Sequence, residues 1–190
     1  MPVHLVRDGG EQLKDDYAQD INPMKEVPTL NIDGHTLKQS LAIIEYLDET
    51  RKQGPELLPS NDAVARQKIR QISDLISSGI QAVQNLRVLL CVMSKFDDPE
   101  RKKKEKISWG KHWITRGFEA LEAELAKCAG KCCYGDAVSM ADLCLVPQVY
   151  NANRFGVDMS RFPTITRIDA HLSGMDAFKA AHPDAQPDAQ

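Results

Sequence analysis

The chain has 190 residues, 42% hydrophobic and 27% charged, enough apolar material for one large or two small cores. A formal net charge of -3 and a pI near 6.0 provide no global attraction for nucleic acid or anionic lipid, so neither is expected as a partner. No apolar run approaches the roughly eighteen residues that a bilayer span requires, so a membrane role is not expected either.

The N-terminus, MPVHLVRDGG, meets a charge early, lacks a small-residue cleavage pattern and does not read as a signal peptide. Five cysteines (Cys91, Cys128, Cys132, Cys133 and Cys144) form an odd set spread over helical sequence, which suits reduced thiols in a reducing compartment. Cys128, Cys132 and Cys133 are close in sequence, but no second Cys/His pair completes a metal-ligand pattern, so no metal is expected. The location implied is cytoplasmic, with a mitochondrial one also open.

Residues 3–6 are a strand candidate, ended by Gly9-Gly10 before a weakly amphipathic helix over about Glu11 to Asp20. Thr29–Ile32 and His35–Leu37 flank Asp33-Gly34, a dipeptide that tolerates the positive φ of a tight hairpin turn. Ser40 is placed to cap the next helix, whose buried face carries Leu41, Ile44 and Leu47 up to about Arg51. The stretch 52–60, KQGPELLPS, reads as an interdomain linker.

Everything after the linker is helical in pattern. Ile69, Ile72, Ile76, Val83, Leu86, Leu90 and Met93 fall on three- and four-residue steps, predicting one helix of roughly thirty residues. The charged block at 97–106 reads as a solvated loop and helix start, followed by a second long helix with Ile107, Ile114, Leu121 and Leu125 on its inner stripe. Ser139 and Asp142 form a capping-box start for an apolar helix through Leu143, Leu145, Val146 and Val149, with Pro147 expected to kink it. Pro163 suits the first turn of another helix ending before Gly174, and the repeated PDAQ of 183–190 is a polar tail. The layout is a small mixed domain at 1–51, a linker at 52–60, an all-helical domain at 61–182 and a flexible tail at 183–190. Two domains imply a cleft.

That order of elements, with Pro28 following Val27 and GDAVSMADLCLVPQV running from Gly135, resembles the glutathione transferases: an α+β thioredoxin-like domain followed by an all-α glutathione-transferase domain. The segments NPMKEVPTL, QSLAIIEYLDETR, ISDLISSGIQAVQNL and MADLCLVPQVYNANRF are similar to the zeta class, the maleylacetoacetate isomerases of tyrosine and phenylalanine breakdown. The resemblance implies glutathione as cofactor, a small acidic enone as substrate and a homodimer.

Carried over by residue, the resemblance makes the Val27-Pro28 bond cis, with the Val27 main chain pairing to the cysteinyl part of glutathione. Gln39 and Ser40 would hold the γ-glutamyl end at a helix N-terminus, and Gln12 would reach the glycyl end. Gln81 and Asn85, one turn apart, would point toward the cleft, and Arg87 stands where the family often has a small polar residue. Arg154 would grip a substrate carboxylate with its guanidinium fork. Read alone, Val27-Pro28 is an ordinary turn, Ser40 a plain cap, Gln12 a solvated residue and Arg154 a salt-bridge partner.

The family's thiol-activating turn, rich in serine and cysteine, lies before the first of these segments, and the sequence starts at Met1 without it. The thioredoxin-like domain is therefore read as incomplete and no catalytic residue is assigned; His4, His35, His112, His171 and His182 have no paired acid at triad-like spacing. The family strand in that part would be central in the sheet, so residues 3–6 are expected either to fill its place beside the hairpin or to fray. The alternative to an active isomerase is a catalytically impaired shortened form serving as a glutathione-binding or dimerisation module.

Overall fold

The computed structural model describes residues 3–5 and 9–187. Two compact units emerge, one through Gly54 and one over Pro55–Ala185.

In the first unit a 3-10 turn, Glu11–Leu13, leads into helix α1, Asp15–Asp20. Strands β1 (Thr29–Ile32) and β2 (His35–Lys38) pair antiparallel, Thr29 opposite Lys38 and Ile32 opposite His35. Both turn residues have positive φ, 52° at Asp33 and 78° at Gly34, the conformation that makes Asp-Gly a hairpin dipeptide. Asp33 also ties the turn to the far end of helix α2 (Ser40–Thr50): Tyr46 Oη donates to its Oδ2 at 2.7 Å and Arg51 to its Oδ1 at 2.8 Å.

Two expectations change here. Val3–Leu5 form no strand, and the sheet among the described residues has two strands; Val6 lies outside the described residues. The backbone groups of residues 4 and 5 turn instead to the 3-10 turn: Glu11 N donates to the His4 carbonyl at 2.9 Å, and His4 N donates to Glu11 Oε2 at 2.8 Å. The second change is in α2, where Ile43 is buried while Leu41, Ile44 and Leu47 are half-exposed.

The linker stretch is divided between the units. Leu58 is buried and the Leu57 carbonyl accepts from Met140 N at 3.1 Å, so its second half is packed into the helical unit.

That unit comprises α3 (Ala63–Asp74), α4 (Leu86–Met93), α5 (Pro99–Cys128), α6 (Met140–Arg154), α7 (Pro163–Ser173) and α8 (Asp176–Ala181). Asp98 caps α5 through Arg101 N at 2.7 Å, with Pro99 at its first position. The core is built from Ile69, Ile72, Ile76 and Ile80 against Ile114, Phe118, Leu121 and Leu125 of α5, Leu145 and Val149 of α6, and Ile165, Ile168 and Leu172 of α7. Ile107, expected on the inner stripe of α5, is exposed. The helix α6 runs on through Pro147 to Arg154, and α7 starts at Pro163 and stops at Ser173 as read.

The single long helix expected from Ile69 to Met93 is interrupted. After α3 come a π-helix, Leu75–Gln81, a 3-10 turn, Ala82–Gln84, and then Asn85 in extended backbone with φ -60° and ψ 152°. Each departure from 3.6 residues per turn rotates everything beyond it. The buried face therefore moves from Leu86, Leu90 and Met93 to Leu89 and Val92, leaving Leu90 exposed. Residues 63–93 are long and apolar enough by composition to cross a membrane, which a search for unbroken apolar runs misses, but Ile69, Ile72, Ile76 and Ile80 are core residues of this unit.

Asp142 anchors the start of α6. Wholly buried, it accepts from Ser139 N, Ser139 Oγ and Cys133 N, each at 2.8 Å. The expected capping box is present and extends to the preceding loop.

Candidate functional site

In the first unit the loop before β1 is held from inside. Asn22, 3% exposed, donates Nδ2 to the Glu26 carbonyl at 2.8 Å and accepts from Met24 N at 3.1 Å, while Tyr17 Oη donates to the same Glu26 carbonyl at 3.0 Å. With Glu26 clamped twice, Val27 is left exposed at a cis Val27-Pro28 bond. The Val27 N–H and carbonyl make no hydrogen bond among the described residues, so both can accept an extended peptide.

Gln39 stands at the start of α2 with φ 71°, and Ser40 is the first helical residue. The expectation that Ser40 caps this helix is therefore corrected: Gln39 occupies the cap position, and no side chain makes the cap bond. The first intrahelical donor is Ile43 N, to the Gln39 carbonyl at 3.0 Å, so the N–H groups before it have no helical acceptor. Both residues are exposed, presenting free N–H groups, a hydroxyl and the positive helix end. A carboxylate suits that combination.

Gln12 is placed differently. It is 4% exposed, its Nε2 donates to the Leu5 carbonyl at 3.1 Å and its Oε1 has no partner. It is neither solvated nor presented outward.

In the helical unit Gln81 closes the π-helix as an exposed residue, and Asn85 lies at the break. Because the helix is interrupted, these residues are not successive turns of one helix; Asn85 Oδ1 accepts from Arg87 N at 3.3 Å and caps α4. Arg154, on the last turn of α6, is exposed. Its guanidinium lies 5.8 Å from the Tyr150 ring centroid and donates to Asn151 Oδ1 at 3.3 Å. It forms no ion pair among the described residues, so its charge is available to an external carboxylate.

Cys132, Cys133 and Cys144 are packed rather than poised for nucleophilic work, whereas Cys91 is exposed. Burial pushes Cys132 and Cys144 up to about 11 and Cys133 well above its ordinary value, which holds them protonated and unreactive. Among the described residues no group of three His, Cys, Asp or Glu side chains is arranged for a metal ion.

Reading the sequence missed Tyr17, Gln84, Gln148 and Trp109, which hold the functional segments. Only Asn22 gave a local signal, an Asx residue before proline.

A small unit of mixed structure carrying a hairpin, an exposed residue before a cis proline and a bare helix tip, followed by an all-helical unit, defines a glutathione transferase. Residues 2–50 match the family described as glutathione S-transferase, N-terminal domain. The chain is 54% identical over 187 residues to probable maleylacetoacetate isomerase 2 of Drosophila melanogaster, covering 98% of this chain and 77% of that protein. Among solved structures it is similar to a holo maleylpyruvate isomerase, a bacterial zeta-class glutathione S-transferase, with a TM-score of 0.90 and 39% identity over 99% of this chain and 86% of that one. It is also similar to the Methylobacterium extorquens AM1 maleylacetoacetate isomerase with bound malonate and glutathione, with a TM-score of 0.87 and 36% identity over 96% and 84% of the two chains. The chain belongs to the maleylacetoacetate isomerase family, the zeta class of the glutathione transferases.

Proposed function

We propose that the chain is a glutathione-dependent isomerase that converts maleylacetoacetate to fumarylacetoacetate, working as a homodimer. The observation that carries this reading is the uncommitted helix tip at Gln39-Ser40, in a chain 54% identical to a probable isomerase of this kind. Glutathione, when bound, supplies the thiol that adds to the enone and leaves after rotation about the former double bond.

The residues fit that cofactor. The Ser40 hydroxyl and the unpaired N–H groups of α2 receive its γ-glutamyl carboxylate, and the Val27 main chain pairs with its peptide. Within the helical unit, Gln81 and Asn85 would offer amide groups to a ligand. Arg154 holds a carboxylate of the substrate by two parallel hydrogen bonds, which orients the enone without consuming the charge.

The test is isomerisation of maleylacetoacetate by the purified chain with added glutathione, followed by absorbance, alongside sedimentation for the dimer. Binding of glutathione with no isomerisation would refute the enzymatic reading in favour of a binding module. Within an active chain, Arg154→Ala is expected to raise the substrate KM roughly 10- to 100-fold, the loss of one charged hydrogen-bonding group, while glutathione affinity holds.

A further inference from the structure

The segment from Ala63 to Met93 abandons α-geometry where it presents its proposed ligand-binding residues. In a regular helix the repeat alone fixes the direction of every side chain; a π-helix followed by a 3-10 turn and an extended residue provides no such rule. The direction has to be set from outside. Three contacts from neighbouring helices do so.

Ile80, wholly buried, lies over Gly117 of α5. Trp109 of α5 donates Nε1 to the Val83 carbonyl at 2.8 Å. Gln84 donates Nε2 to Gln148 Oε1 of α6 at 2.8 Å. The anchored positions 80, 83 and 84 alternate with the exposed Gln81 and the half-exposed Asn85, so the anchors hold the backbone from the side away from those two.

The amide pair is the informative contact. Gln84 and Gln148 are 5% and 2% exposed, and the bond between them leaves Gln84 Oε1 and Gln148 Nε2 without partners. A half-satisfied buried pair is a poor source of stability, and two apolar side chains of similar volume would serve at least as well. What apolar side chains lack is direction: a hydrogen bond fixes one segment's register on another. Here it fixes the 3-10 turn on α6, the helix that ends in Arg154.

We propose that the Gln84–Gln148 pair is a positioning element that locks the irregular turn bearing Gln81 and Asn85 to the helix bearing Arg154, and so sets the chain's selectivity for a carboxylate-bearing glutathione adduct. The inference rests on the function proposed above. The pair touches no ligand; it acts through the residues it places.

The test compares the full chain with Gln148→Leu, Gln84→Leu and the double variant. The readouts are Tm, kcat and KM in the isomerase assay, and the Kd of S-(1,2-dicarboxyethyl)glutathione by calorimetry. Each single variant is expected to lower Tm and to raise both the acid substrate's KM and the conjugate's Kd roughly tenfold, with kcat at saturation little changed. The double variant should regain thermal stability, because no polar group is left half-paired, yet keep the raised KM and Kd. A double variant that regains wild-type affinity, or a Gln148→Leu chain that binds the conjugate normally, would overturn the inference alone. A wild-type chain that neither isomerises nor binds the conjugate would overturn the functional reading and this inference together.

Discussion

Replacing Gly117 by alanine tests how tightly the π-helix is held against α5. A Cβ at Gly117 would stand 2.3 Å from Ile80 Cγ1 and 2.6 Å from Cδ1, when carbon atoms pack at about 3.5–4.0 Å. Ile80 has no exposed surface into which to swing, so the backbone or the rotamer must yield by more than about 1 Å. Overpacking of this kind costs about 1–3 kcal/mol, and the helix preference for alanine over glycine returns about 1 kcal/mol. The expected net loss is about 0–2 kcal/mol, a fall in Tm of up to roughly 8 °C for a chain of this size.

Denaturant unfolding of a double-mutant cycle gives the decisive comparison. Ile80→Ala alone should cost about 2–5 kcal/mol, but it removes Cγ1 and Cδ1 and leaves Ile80 Cβ at an ordinary 3.4 Å. In that background Gly117→Ala should be neutral or stabilising by up to about 1 kcal/mol. Gly79 is the control: a Cβ there meets nothing within 4 Å, so Gly79→Ala should stabilise by up to about 1 kcal/mol. Equal losses from Gly117→Ala with and without Ile80 would refute the reasoning, since the contact blamed would then be irrelevant.

Three further outcomes are expected. Asp142→Ala strips Ser139 and Cys133 of their buried acceptor and should cost about 3–5 kcal/mol by denaturant unfolding, whereas an exposed acid such as Glu100 should give almost nothing. Because burial raises Cys132 and Cys144 from 9.0 to about 11, the folded chain holds protons that the unfolded chain releases above about 9. Stability should therefore fall as pH rises from about 9 toward 11, and less so in Cys144→Ala, as measured by Tm against pH. Asn22→Ala removes one of the two clamps on the Glu26 carbonyl together with the acceptor for Met24 N; it should cost about 1–3 kcal/mol and weaken glutathione binding by calorimetry, through a loosened Val27.

What sequence patterns revealed of this fold was local. Asp33-Gly34, the Ser139/Asp142 box and Pro163 each act within a few residues, and each marks a boundary in the structure. The stripe through Ile69 and Ile72 was equally legible because α3 keeps a constant period up to Asp74. Beyond it the reading failed at Leu86, Leu90 and Met93, since a constant period was assumed where the helix has none. Gln84 and Gln148 were invisible for a different reason: a pairing across 64 residues leaves no mark on the pattern around either partner. At the site, Val27-Pro28 and Gln39-Ser40 were named through family resemblance. The helix N-terminus there was part of that expectation; what differs is the cap, since Gln39 and not Ser40 holds the cap position and no side chain makes the cap bond.

The irregular stretch between α3 and α4 makes the chain intolerant of length changes in a way that its surface loops are not. One residue lost between Leu75 and Asn85 would spin the following helix by about 100°, carrying Leu89 and Val92 out toward water and turning Leu90 inward. Point substitutions at Leu75, Ser78 or Gly79 should be absorbed, but a single-codon deletion in the same stretch would expose apolar surface along the whole of α4. Such a deletion would behave as a folding defect even though it removes no residue that touches a ligand.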